Sequence, residues 1–467
     1  MNLSFMSSIP KSISQVPSIP NALEHISQAC NDRLLQLFPA GIPAAVKERY
    51  DLEFKYLSSS DYIDDFELFR LFSDESRKNS TFLSAKSTTS GSFIYYLLSN
   101  GSFNPLPAYY YCPHCGHYES APSHMFGIDL PPIICPVCRK EISPSGFNLP
   151  LESVWGNDGK KSIDFTHRTS SEFLSFARHI LTNAYPDNEI VPLGIFQIAP
   201  TSGNTFYDSG VIGVIHSGYA ILPEGTQLSD YPNLISCLED GTPCVTINDL
   251  DLSQHPLKIV NLKPDNNIDS LINLQRATGL YVSEISEENL RPITWNFMCN
   301  STVMKQNEMN LFQQYSPKTF YNMVGLEAAL HNSYIWQDHT VSGTDDFKFY
   351  KMVSSDFFSK NPCFTREDFF EYLIDNGMER SLAFTASEYI RKGKMAIDNP
   401  LHGLNLPFSL PSEIKEIAQN YHYVFPRACA VDIILTYAKF TYYAQTDSIA
   451  YSKVKFNKFP LFNLLQP

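Results

Sequence analysis

Four cysteines in two matched pairs constrain this chain more than any other feature. YYCPHCGHYES carries Cys112 and Cys115, IICPVCRKEI carries Cys135 and Cys138, and 19 residues separate the pairs. Each Cys-x-x-Cys turn aims two thiolates at one point, and two such turns complete a tetrahedral four-sulfur zinc shell. Four sulfurs close that shell to water and substrate, so the spacing predicts a structural zinc rather than a catalytic one. His114 and His117 lie in and beside the first turn and are not needed as ligands. The remaining cysteines, Cys30, Cys237, Cys244, Cys299, Cys363 and Cys429, stand singly and read as buried thiols in a reducing cytoplasm.

The chain around them is long enough for several domains and is 43% hydrophobic, which excludes a disordered polymer. Its net charge of -14 gives no overall attraction to nucleic acid, so any such contact needs a local basic patch. No apolar run reaches the roughly 18 residues of a membrane span. The opening MNLSFMSSIPKSISQVPSIP is Ser/Pro-rich and reads as a polar tail over 1–20, not a signal peptide. From Asn21 to Tyr56 the apolar spacing of Leu23, Ile26, Leu34, Leu35 and Leu37 predicts helix, broken at Pro39, Gly41 and Pro43. The middle third holds strand-like runs, IVPLGIF, GVIGVI and LKIVNL, between Gly/Pro/Asn turns. The last third is helical, with DFFEYLIDNG and CAVDIILTYAKFTYYAQ as its clearest segments. The expected class is α+β, with a mixed sheet in the middle and a helical C-terminal part.

Beyond these patterns, longer stretches resemble a known family. SFNPLPAYYYCPHC, FGIDLPPIICPVC and GFNLPLESVWG are similar to the zinc-bearing palm of the PolC-type bacterial DNA polymerase III alpha subunit. GMERSLAFTASEYIRKGKM and YHYVFPRACAVDIILTYAKFTYYA resemble its fingers, and KERYDLEF with the SAKSTTSGSF loop extends the match upstream. The resemblance runs from about residue 20 to 455 in the family's order. It implies a helical part of the palm at 21–110, a zinc-ribbon insertion at 111–150, palm with a reduced thumb at 151–270, helical fingers at 271–455 and a tail at 456–467. The implied fold is a nucleotidyltransferase-like mixed-sheet palm. The family's exonuclease, PHP, oligonucleotide-binding and helix-hairpin-helix modules are not matched, so the expectation is a free-standing core.

Nucleotidyl transfer needs two divalent ions held by hard carboxylate oxygens. In the family one palm strand offers an Asp-Ile-Asp triplet, and a neighbouring strand of the type Leu-Lys-Leu-Asp supplies a third acid. Here the first reads Ser162-Ile163-Asp164 and the second Leu257-Lys258-Ile259-Val260. Ser162 and Val260 stand at two lost acid positions, and Asp164 survives as a vestigial catalytic residue. Asp249, Asp251 and Asp265 have the wrong parity or distance to replace them. Productive Mg²⁺ binding is therefore not expected. Other parts of the family's site are also altered: Pro192-Leu193-Gly194 replaces an Arg-Ala-Gly segment, and Thr205 to Gly210 replaces a Gly-Gln-His-Pro-Gly-Gly loop. Phe425-Pro426-Arg427-Ala428-Cys429 replaces FPKAH. Too few residues separate Gly194 from Gly210 for a helical thumb.

Candidate phosphate ligands are Lys86, matching an arginine of the family's Ser/Gly loop, Arg391, Lys392 and Lys394 of the RKGK run, and Arg427. The reading is of a PolC-like core that no longer catalyses and works by weak, salt-sensitive binding to DNA or by binding replication proteins. A decoy or regulator carried by a mobile element is one form this takes. Two rivals stay open: a weakly active template-directed polymerase with rearranged metal ligands, and a protein-interaction scaffold.

Overall fold

A computed structural model describes residues 16–99, 101–122, 125–198, 211–246, 255–299, 304, 306–332, 364–396, 409–419 and 421–454. The tail 1–15, the Thr205–Gly210 segment, Asp249, Asp251, Cys363 and the terminal 456–467 lie outside those residues. In chain order the strands are β1 (Ser84–Ala85), β2 (Tyr109–Tyr111), β3 (Tyr118–Ser120), β4 (Ile133–Ile134), β5 (Glu141–Ile142) and β6 (Pro144–Ser145). They continue as β7 (His167–Thr169), β8 (Ile190–Ile198), β9 (Val211–Ile221), β10 (Ile235–Cys237), β11 (Pro243–Thr246) and β12 (Lys258–Pro264). The runs IVPLGIF, GVIGVI and LKIVNL fall in β8, β9 and β12, as expected.

Seven strands form one mixed sheet in the order β1-β7-β12-β9-β8-β11-β10. The pairs β7–β12 and β8–β11 are parallel and the others antiparallel. Beside it stand two small sheets built around the cysteines, β3-β2-β6 and β4-β5. The close crossing of β9 and β12 needs Gly218, whose φ is +120° and where a Cβ would lie 2.0 Å from the Val260 carbonyl oxygen.

The two faces of the β1-β7-β12 edge are chemically different because strand side chains alternate. One face is apolar: Ala85, His167, Val260 and Leu262 join a cluster with residues of the helices Ala22–Leu37, Ala44–Ser58 and Ile63–Lys78. Those helices are amphipathic at the expected spacing, with Ile26, Cys30 and Leu34 buried on the first and Phe66, Phe69 and Phe72 on the third. Phe69 stacks on the His167 ring at 5.0 Å, and Phe66 meets Phe165 edge-on at 4.9 Å. Burial holds His167 neutral, with its pKa pushed down to about 3. The opposite face carries Ser84, Lys86, Arg168, Asn261 and Lys263 by the same alternation.

Over that polar face lies the helix Arg427–Thr446, buried along most of its length. It belongs to the largest apolar cluster, with the helices Asn266–Thr278, Phe320–His331 and Arg366–Asp375. Caps fix where two of these begin. Asp265 accepts from the Asn267 amide at 2.8 Å, and Thr365 with Asp368 forms a reciprocal capping box.

Candidate functional site

The four cysteines come together. Their sulfurs all lie within 4.8 Å of one another, with Cys112 Sγ 3.3 Å from Cys138 Sγ and Cys115 Sγ 3.6 Å from Cys135 Sγ. Two equivalent turns produce this. The Cys112 amide bonds the His117 carbonyl and the Gly116 amide bonds back to the Cys112 carbonyl, both at 2.9 Å. In the second turn Cys135 bonds Lys140 at 2.8 Å and Arg139 bonds back to Cys135 at 3.0 Å. The corresponding positions Gly116 and Arg139 both have positive φ, 76° and 63°. At Gly116 a Cβ would also meet the Ala40 carbonyl oxygen at 2.8 Å, so only glycine fits there. The cluster has its own small apolar support, including Tyr110, Leu130 and Ile142. Tyr111 ties it to the N-terminal helices by accepting from the Ala40 amide at 3.0 Å.

The second site is the polar face around Asp164. The expected strand over 162–164 is not formed; the chain is extended there and β7 begins at His167. The reason is local: Asp164 Oδ1 accepts from the Thr166 amide at 2.9 Å and from its hydroxyl at 2.6 Å, a turn that competes with strand pairing. The Asp164 carbonyl accepts from Ser87 Oγ at 2.5 Å and Thr89 Oγ1 at 2.6 Å. These bonds fasten the SAKSTTSGS loop over it. The far end of the loop is held by Arg49, which bonds the Gly91 carbonyl at 3.1 Å. Buried Glu53 accepts there from Ser92 Oγ at 2.6 Å.

Ser162 and Asp164 are both exposed, and Ser162 Oγ lies 3.5 Å from the Tyr62 hydroxyl. Val260 is elsewhere. It is 7% exposed and belongs to the apolar cluster beneath the sheet. Leu262 is paired with His167 and Lys263 with Arg168, so Val260 shares the apolar parity of Leu262, and Asn261 the parity of Lys263. Two other carboxylates flank this face, and both are engaged. Arg168 forms ion pairs with Asp265 at 3.5 Å and with Asp432, and Asp432 also accepts from Ser84 Oγ at 2.7 Å.

Lys86 does reach the site. Its amide donates to the Thr166 carbonyl at 2.9 Å, and its side chain lies beside Lys263, Asp164 and Arg168. Burial, and then the neighbouring charge of Lys263, push its ammonium pKa down to about 8. Lys263, Asn261, Arg168 and Asp432 were not singled out from the sequence. The alternation of KIVNLKP holds the signal, since Val260 and Leu262 are one parity and Asn261 and Lys263 the other.

Arg427 is a correction. A candidate phosphate ligand by its sequence, it is 1% exposed. Its guanidinium pairs with Asp368 at 2.8 Å and Glu371 at 2.7 Å, donates to the Asn148 carbonyl at 2.7 Å and lies over the Tyr321 ring. It joins the helical part to the chain leaving the cysteine region. Arg391 is held by Glu388 at 2.9 Å, Lys392 lies 3.9 Å from the same carboxylate, and Lys394 sits over the Tyr389 ring at 4.7 Å. Pro192–Gly194 lies inside β8, with Leu193 buried. Among the described residues no helix is long and apolar enough to cross a membrane.

Comparison with known proteins gives this arrangement a context. A DNA polymerase III PolC-type of Thermotoga petrophila is 22% identical over 495 residues, covering 94% of this chain and 34% of the relative. That of Caldanaerobacter subterraneus is 19% identical over 481 residues, covering 91% and 33%. That of Staphylococcus saprophyticus is 22% identical over 482 residues, covering 91% and 32%. The chain is a divergent PolC-like sequence. It spans about a third of the length of the curated relatives it matches. No family model matches it.

Proposed function

We propose that this chain is a PolC-like palm and fingers unit that does not catalyse nucleotidyl transfer and acts by binding DNA or a replication protein. One observation carries the reading: among the described residues Asp164 stands beside a lysine, Lys86, and not beside two uncommitted carboxylates. A two-metal site needs bridging acids to offset the repulsion between its cations. Ser162 offers none, Val260 packs into the apolar cluster, and Asp265 and Asp432 are held by Arg168. The described residues do not fit a pair of divalent ions. Zinc is different: Cys112, Cys115, Cys135 and Cys138 fit a four-sulfur shell, and zinc there would supply folding energy and no chemistry. On this reading 151–270 is palm, 271–455 is fingers and the chain works in the cytoplasm. A decoy or regulator of replication encoded by a mobile element is the biological setting that a binding-only core suits.

Primer extension tests the reading. With primed template, four deoxynucleotides and Mg²⁺ or Mn²⁺, the protein is expected to extend no primer, and Asp164→Ala to behave the same. Ser162→Asp with Val260→Asp, the change that restores three acids on paper, is expected to cost stability and yield no synthesis, because position 260 faces the core. Extension by the parent chain that Asp164→Ala abolishes would overturn the proposal and establish the weakly active polymerase instead.

A further inference from the structure

We infer that a cavity bounded by the segment 143–145, the short helix Glu287–Leu290 and the helix Arg427–Thr446 binds a small molecule through an oxyanion, with Arg291 as its anchor. This goes beyond the binding reading above and does not depend on whether the chain catalyses.

The cavity holds about 760 Å³, inside the range of roughly 300–1,000 Å³ that small-molecule sites occupy. It lies where segments distant in sequence meet, the helices Ala22–Leu37 and Ile63–Lys78 closing it from the N-terminal part. Ser162, Asp164, Lys86 and the four cysteines do not line it. Asp432 does, and its carboxylate is already held by Arg168 and Ser84. Two serines fasten the short helix to the end of the cysteine region: Ser145 Oγ donates to Glu287 at 3.1 Å and Ser143 Oγ donates to Glu288. Buried Leu98 and Phe103 give the cavity an apolar side.

Arg291 follows that helix, its amide bonded to the Glu287 carbonyl at 2.9 Å, and it lines the cavity. All three of its guanidinium nitrogens are buried, and among the described residues none has a hydrogen-bond partner. A guanidinium so placed has given up hydration without a compensating bond, which is a costly state. The nearest acids do not relieve it. Asp129 spends its oxygens on the amides of Phe320 and Tyr321. Glu287 accepts from Ser145, and its Oε2 is itself without a partner among the described residues. Burial pushes the Glu287 carboxyl up to about 7, so near neutral pH much of its charge is gone. No bond holds the Arg291 head group, so it can turn into the cavity without breaking one. Its planar fork then matches two oxygens of a carboxylate or phosphate. Lys439 lines the cavity from the covering helix, its Nζ 3.5 Å from the Gly101 carbonyl. The lining as a whole carries as many carboxylates as cations, so the attraction is local to Arg291 and not a matter of net charge. The ligand class is a small molecule with an apolar body and one carboxylate or phosphate.

Thermal unfolding and calorimetric titration with benzoate, phenyl phosphate and neutral benzamide test the assignment. Benzoate or phenyl phosphate should bind the parent chain and raise its unfolding midpoint, and benzamide should not. The anion that binds more tightly identifies the oxyanion as carboxylate or phosphate. Arg291→Met should fold with the parent's midpoint or a higher one, since it removes an unpaired buried charge, yet bind the anion roughly tenfold more weakly or worse. Arg291→Lys should also bind more weakly than the parent, because an ammonium lacks the fork. Arg276→Met, at an exposed arginine paired with Glu172, should leave binding unchanged. An Arg291→Met chain that is destabilised or fails to fold would make the arginine structural and overturn the proposal. So would benzamide binding as tightly as benzoate, neither anion binding, or equal affinities of the parent and Arg291→Met. None of these readouts involves primer extension, so their failure leaves the inactive reading in place.

Discussion

Arg427 shows how far a single residue's charge can mislead when its surroundings are unseen. It lies in a stretch similar to the family's fingers, where a cation suggests phosphate. Its carboxylate partners Asp368 and Glu371 come from a helix more than fifty positions earlier, and only the fold brings them together. Burial alone would penalise the guanidinium, but Glu371 and Asp368 hold it charged, its pKa well above the ordinary value. Removing the cation from such a network leaves two buried carboxylates without its compensating charge, which costs roughly 3–5 kcal/mol. Arg427→Met is therefore expected to lower stability by about that amount in chemical denaturation. Its oligonucleotide affinity, measured on folded protein, should match the parent. An affinity loss with unchanged stability would return Arg427 to the nucleic-acid surface.

At the scale of elements, the cysteine cluster was legible because all its instructions are local. Spacing within each turn sets the thiolates, and the glycine at 116 permits the left-handed turn. The long helices were legible for the same reason: Ile26, Cys30 and Leu34 repeat at the helical period, and Thr365 with Asp368 marks a helix start. The polar face was not. Whether position 260 faces Asp164 depends on how β12 registers against β7, two strands nearly a hundred residues apart, and on a turn at Asp164 that delays β7 by three residues. A resemblance in sequence order sets Val260 at an acid position; the alternation of β12 puts it with Leu262 on the apolar side and Asn261 with Lys263 on the other. Metal analysis tests the local part. One zinc per chain is expected, and Cys112→Ser or Cys138→Ser should release it and loosen the turns around 112–117 and 135–140, because metal affinity at a closed shell is folding energy. Hydrogen exchange at the Gly116 and Arg139 amides would report it. Full protection of both amides in metal-free protein would contradict a structural zinc.

Across the whole molecule, charge decides what a binding function can look like. A chain of net charge -14 repels a polyanion everywhere except where cations cluster. Of the sequence's candidate cations, Arg427 is buried among acids, and Arg391 and Lys392 share Glu388. Of that set Lys86 lies at the polar face and Lys394 over the Tyr389 ring, so few phosphates are neutralised. Affinity should then be weak, and its logarithm should fall with log salt at a slope of roughly -1 to -2. The pH dependence has a definite sign. Lys86 titrates near 8, lowered first by burial and then by Lys263, with Arg168 acting in the same direction and Asp164 opposing. From the covering helix, Asp432 is paired with Arg168, and Cys429 stays a neutral thiol, pushed up to about 12. On the binding reading proposed above, phosphate contact at Lys86 uses its ammonium form, so affinity should drop as pH rises from 7 to 9. Stability moves the other way. Between about 8 and 10.5 the folded chain has released a proton from Lys86 that the unfolded chain still holds, so this group adds stability as pH rises. Anisotropy titrations at pH 7 and 9, alongside denaturation at the same two values, separate the effects. Affinity that falls while stability holds identifies Lys86 as the titrating ligand, and affinity unchanged between pH 7 and 9 would remove it from the binding surface.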